Sequence, residues 1–359
     1  MEGSSTTVQT LRKVIVSESE PLARRFRALF SLKYLACLQP PSEDTFPAIE
    51  AIAAALLSSK SELLKHELAY CLGQTRNKDA VSYLQDAVNN REEDAMCRHE
   101  AAEALGSLGF DDSLEMLKVI RDDEREPDFM RETCDIAVDR ILWENSDEKK
   151  TEKLKPRYDA LFYIIIQYTW LLSDSLTLLC AINSDFTSID PAPPLPLVSS
   201  EQSIPEIEQT LLDTKLPLFQ RYRAMFALRD LASPPDLPTA TSAVEALAKG
   251  LKDPSGLFRH EVAFVFGQLC HPASVPCLTE CLSNQQEMGM VRHEAAEALG
   301  SLGDIEGVED TLKKFVNDPE QVVRESIVVA LDMAEFEKNG EVEYALVPDG
   351  AAPAAVPAA

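Results

Sequence analysis

The chain has 359 residues, 45% of them hydrophobic, enough to bury a sizeable core as one long array or as two domains. A formal net charge of −26 argues against a nucleic-acid or anionic-membrane binder, both of which reward basic patches. Cationic partners are favoured instead, although part of the acid serves only to solvate helix faces. The eight cysteines lie mostly among apolar helical residues, none forms a CxxC pair, and the first twenty residues lack a signal-peptide pattern. A reduced, cytoplasmic chain with buried thiols is the expectation.

In chain order, residues 1–7 are small and polar and predict a frayed end. Leu22–Leu38 carries apolar residues at helical spacing and is stopped by Pro40-Pro41. Phe46–Leu57 and Leu63–Leu72 predict the next two helices, the second closed by Gly73. Asp79–Val88 and Cys97–Leu105 repeat the pair with Gly106 as the stop, and Ser113–Ile120 with Met130–Leu142 adds another. No convincing period-2 strand appears. The second half runs in the same order: Leu216–Leu231, Ala243–Leu251 with Leu257–Phe266, Ser274–Leu282 with Val291–Leu299, and Gly307–Val316 with Val322–Phe336. Arg25-Phe26-Arg27-Ala28 is answered there by Arg221-Tyr222-Arg223-Ala224.

This pattern predicts an all-α fold of HEAT-type helical repeats in a superhelix, with two pseudo-symmetric halves of four helical pairs each. The halves are expected at 1–142 and 206–338, with a linker at 143–205 and a disordered Ala/Pro-rich tail at 339–359. Within the linker, 160–182 is apolar and long enough to span a bilayer. Gln167, Ser173, Asp174, Ser175 and Thr177 interrupt it, so the expectation is an apolar insert and not a membrane span.

The duplication is explicit: RHEAAEALGSLG at Arg98–Gly109 recurs letter for letter at Arg292–Gly303. Lys65-His66-Glu67 precedes the first copy and Arg259-His260-Glu261 the second, each histidine 33 residues before the next. Four of the five histidines sit in these His-Glu pairs, confined to the inner two repeats of each half. A solenoid needs its alanine, leucine and glycine for packing, and the outer repeats put Phe26, Tyr222 or Glu132 near the same position. Equivalent positions on stacked helices lie roughly 10 Å apart, so His66 and His99 should be neighbours, as should His260 and His293. Imidazoles and carboxylates meeting in a cleft suit iron, manganese or zinc, and two equal halves suit two metals. Residues 66–70 read HELAY and 99–103 HEAAE, so no HExxH zinc-protease motif exists. His271, beside Pro272 in a turn, reads as a plain loop histidine, and Arg98 and Arg292 as structural.

Eight such repeats with four His-Glu motifs in the second, third, sixth and seventh resemble the deoxyhypusine hydroxylases, over nearly the whole chain except 160–182. The resemblance implies a non-haem di-iron monooxygenase that hydroxylates the deoxyhypusine side chain of translation initiation factor 5A. It implies His66, His99 and Glu100 as ligands of one Fe(II), with His260, His293 and Glu294 holding the other. Glu67 and Glu261 are implied near the substrate amine, and Met290 at a substrate contact, with Met96 its internal counterpart. Core filling is the alternative for both methionines. Glu103 and Glu297, one turn past the histidines, read as supports for the ligands or as solvated face. O2 is the implied co-substrate, and the reductant must be external because no GxGxxG fingerprint follows a strand. A metal-free scaffold binding a protein along its concave face, or an isoform inactivated by the insert, is the competing reading.

Overall fold

The computed structural model describes residues 5–151, 188–196 and 204–339; the 160–182 insert and the tail from residue 340 lie outside them. The described residues form helices and no strands, arranged as helical pairs. In the first half the pairs are α1 (Thr6–Ile15) with α2 (Leu22–Ala36), α3 (Thr45–Ser58) with α4 (Glu62–Gly73), α5 (Val81–Asn89) with α6 (Ala95–Leu108), and α7 (Leu114–Arg121) with α8 (Asp128–Glu144). A short helix, Asp147–Thr151, follows. The second half repeats the order as α9 (Ile204–Leu212) with α10 (Leu218–Ala232), α11 (Ala240–Ala248) with α12 (Gly256–Leu269), α13 (Val275–Ser283) with α14 (Gly289–Gly300), and α15 (Val308–Leu312) with α16 (Gln321–Asn339). Each helix therefore has its counterpart eight numbers on.

Two expectations need correction. The first helix begins at Thr6, inside the stretch expected to fray, because Ser5 caps it by accepting from Val8 N and is itself tied to Asp44. Gly106 does not stop α6 but lies within it, and the left-handed stop is Gly109 at φ 74°. Gly106 serves contact: a Cβ there would sit 2.8 Å from the Ala137 Cα of α8. Small residues thus let neighbouring inner helices approach backbone to backbone.

The even-numbered helices form the inner layer. α4 packs on α6, α6 on α8, α12 on α14 and α14 on α16. A basic residue opening each repeat locks the stack. The Nε of Arg25, Arg98, Arg221 and Arg292 each donates to the carbonyl ten residues back, on the outer helix of its own pair. Their other nitrogens reach a carboxylate: Arg98 binds Glu126 through two bonds of 2.7 and 2.9 Å, and Arg292 binds Asp318. The ion pairs Lys65–Glu93 and Arg259–Glu287 tie two further repeats to the next.

The array closes on itself. α16 packs against α2 and α4, and α8 against α10 and α12. The N-cap serines of α4 and α12 make both closures, Ser61 donating to Glu325 and Ser255 donating to Glu132, each at 2.8 Å. At the first seam Arg27 adds a two-pronged bond to Asp332. The concave faces of the two halves therefore meet. No described helix is long and apolar enough to cross a membrane.

The ladder predicts an asymmetry in mutational cost. Arg98→Leu strands the buried Glu126 carboxylate and is expected to cost about 3–5 kcal/mol in denaturant unfolding. Arg24→Leu, at an exposed pair with Glu20, is expected to cost about 1 kcal/mol or less.

Candidate metal centre

The inner face of each of the four middle helices carries one histidine, and ring closure brings all four together. Ring centroids lie 5.7 Å apart for His66–His99, 5.4 Å for His260–His293, and 5.1 Å for His66–His293 across the halves. A carboxylate sits within each pair. Glu100 Oε2 is 3.1 Å from His66 Nε2 and 3.8 Å from His99 Nε2, and Glu294 Oε2 is 3.5 and 4.0 Å from the Nε2 atoms of His260 and His293. Of the ligand sets that the resemblance implies, His260, His293 and Glu294 are thus gathered, and Glu100 lies beside His66 and His99. Metal-compatible clusters are His260, His293 and Glu294 within the second half, and His66, His99 and His260 across the halves. All four Nε2 atoms are buried; those of His99, His260 and His293 have no hydrogen-bond partner, and that of His66 meets only Glu100.

These features match known proteins. A model of HEAT repeats matches residues 49–133 and 244–332. A deoxyhypusine hydroxylase of Aspergillus oryzae is 75% identical over all of this chain and 97% of its own length, and one of Aspergillus niger is 76% identical over all of this chain and 98% of its own. The chain belongs to the deoxyhypusine hydroxylase family. The solved structure of human deoxyhypusine hydroxylase, in complex with glycerol, superposes at a TM-score of 0.71 with 38% identity, covering 91% of this chain and 96% of that one. This is a family of hydroxylating enzymes built on the helical-repeat fold.

In this chain two of the four histidines, His99 and His293, are held from behind. Thr133 Oγ1 donates to the Phe129 carbonyl at 2.8 Å, which leaves its oxygen to accept from His99 Nδ1 at 3.0 Å. The proton is then on Nδ1 and the Nε2 lone pair faces the cleft. His293 Nδ1 is 3.4 Å from Glu297, which also accepts from Ser326. Thr133 and Ser326 were missed in the sequence, yet each follows the Arg-Glu that closes its half, at Arg131-Glu132 and Arg324-Glu325. Glu297 is therefore a support for a histidine, and half-buried Glu103 lines the cleft. Met290 is 3% exposed and belongs to the core cluster, and Met96 packs against that core. His271 caps a turn, accepting from Ala273 N.

Burial sets most of the protonation states. It drives His99 down to about 3 and lowers His260 and His293, leaving neutral imidazoles. Burial would lower His66 too, but the adjacent Glu100 carboxylate outweighs it and lifts His66 to about 9. Glu67 rises to about 8 through burial and the proximity of Glu297, and burial with neighbouring carboxylates raises Glu103, Glu261 and Glu294. The cleft carries more carboxylate than it can keep charged without cations.

Two outcomes follow. Because His66 holds a proton below about pH 9 in the metal-free protein, that proton must leave before Nε2 can bind a metal. Because the raised Glu294 carboxyl must lose its proton as well, apparent divalent-metal affinity should rise by at least about tenfold per pH unit from neutrality to about 9, measured by competition with a chelator. Thr133→Val frees the His99 ring and should weaken metal binding on the order of 10- to 100-fold without unfolding the chain.

Proposed function

We propose that the cleft holds two iron ions and hydroxylates the deoxyhypusine side chain of translation initiation factor 5A. The observation that carries this reading is the set of four buried Nε2 atoms converging around Glu100 and Glu294, three of them without a hydrogen-bond partner. A metal-free scaffold would leave the Nε2 atoms of His99, His260 and His293 dry and unbonded, at about 1–3 kcal/mol apiece. His66, His99 and Glu100 would hold one iron, and His260, His293 and Glu294 the other. Nitrogen with carboxylate is a donor set suited to iron, and paired sites on facing helices are the usual setting of di-iron chemistry. Bound there, iron supplies the reduction of O2 that C–H hydroxylation requires.

The chain's own residues do the rest. The reaction inserts one oxygen atom of O2 and releases the other as water, consuming two electrons and two protons. The two electrons come from an external reductant. Glu67 and Glu261 face the cleft from α4 and α12, one residue past a ligand histidine, and meet the ammonium groups of the arm. An ammonium beside Glu67 returns its raised carboxyl to the charged form, so arm binding and charging are coupled. The net charge of −26 attracts a basic protein substrate and speeds encounter.

Fe(II)-loaded protein with an external reductant and ¹⁸O2 should put a single labelled oxygen on a deoxyhypusine-bearing factor 5A. Turnover by metal-free protein, or label arriving from water, would contradict the reading. Glu67→Gln should raise KM on the order of tenfold or more while leaving bound metal unchanged.

A further inference from the structure

The two halves are related by a pseudo-twofold, so the cleft between them should present two equivalent mouths. One linker segment breaks that equivalence. Residues 188–196 cross the C-terminal ends of the inner helices. Ile189 N donates to Gln74 Oε1 at 2.6 Å, and Gln74 Nε2 returns a bond to the Ile189 carbonyl, which also accepts from Ser107. Gln268, the counterpart of Gln74, donates to Ser188. Asp190, 2% exposed, is held by the Arg229 guanidinium through two bonds of 2.9 and 3.0 Å. Arg223, which corresponds to the Arg27 of the Asp332 seam, instead donates to the Pro193 and Pro194 carbonyls.

The symmetry mates of Arg229 and Ser107 are Lys33 and Ser301, and among the described residues this segment makes no bond to either. The segment therefore covers one side only. Exposure follows suit: Glu261 is 1% exposed, whereas its mate Glu67 is half-buried and Glu297 keeps a side-chain exposure of 21%. The layering is fixed by helical register. Gln74 and Gln268 lie seven residues, about 10.5 Å of helix, beyond Glu67 and Glu261 on the same faces. Between them Tyr70 meets Phe264 edge to face at 5.9 Å. Beneath the covered side, Glu261 Oε1 is buried with no hydrogen-bond partner.

We propose that residues 188–196 wall off one of the two equivalent mouths, so that a cationic arm enters over Glu67 and Glu297 and ends against Glu261. This rests on the functional reading above and adds a direction and a length limit. An arm with two ammonium groups then has a carboxylate for each: Glu67 with Glu297 at the entrance, Glu261 at the closed end. The orphaned Glu261 oxygen receives the terminal ammonium as its donor. A wall behind that point sets how long an arm can be while its carrier protein rests at the mouth.

The test compares two peptides, one bearing lysine with a 4-aminobutyl arm and one with a 6-aminohexyl arm. Their binding to Fe(II)-loaded protein without O2 is measured by calorimetry, and their hydroxylation in air. Wild type should bind the longer arm on the order of tenfold more weakly. Asp190→Ala, which releases the segment from Arg229, should bring the two arms within about threefold of each other. Gln74→Ala, which frees Ile189 and keeps the ion pair, should narrow the ratio in the same direction and serves if Asp190→Ala fails to fold. Metal content checks that the centre is intact in both variants. Equal acceptance of both arms by wild type, or an unchanged ratio in a folded variant, overturns the wall. Failure of wild type to bind or hydroxylate either peptide overturns the functional reading, and the wall with it.

Discussion

Four buried imidazole nitrogens, three of them with nothing to bond and the fourth met only by Glu100, are the constraint on which this molecule turns. Desolvating a polar atom without a partner is costly, and doing so three times in one place would be a defect in a protein that used its repeats for packing alone. The stack tolerates it because each Arg-His-Glu triplet divides its labour. The basic residue points back, tying its own pair and the next repeat with a carbonyl and a carboxylate. The histidine and the glutamate point inward. The interactions that fix the repeats are thus separate from the groups that face the cleft, so the cleft can be electrostatically unfavourable without loosening the array.

Ring closure then turns two weak half-sites into one centre. Neither half alone surrounds its histidines; His66 comes within 5.1 Å of His293 only because α16 and α8 dock on the opposite half. The serine caps that begin α4 and α12 are also the groups that grip Glu325 and Glu132. Helix starts, seam and metal site are therefore set together. Duplication supplies two equivalent clusters of histidine and glutamate, and a single linker segment breaks their equivalence.

Much of this was legible in the residues. The letter-for-letter repeat and the 33-residue spacing gave four helical pairs per half and placed the four histidines together. Helix ends were less legible, because a glycine can serve either a turn or a close contact, and Gly106 serves contact with Ala137. The supports behind the histidines were hidden by their ordinariness: Thr133 and Ser326 act through position, one repeat away from the rings they orient. Asp190 falls in the stretch expected as a linker at 143–205 and is in fact buried against Arg229. Long-range ion pairs leave no periodic trace, so only the folded chain reveals them.

The most direct test of the central claim is anaerobic Fe(II) titration of the metal-free protein, reading the number of tightly bound ions per chain. The account predicts about two, with the site of either half emptied when its own histidine pair is replaced by alanine. A folded chain that takes up no iron, or keeps it after all four histidines are replaced, would contradict it.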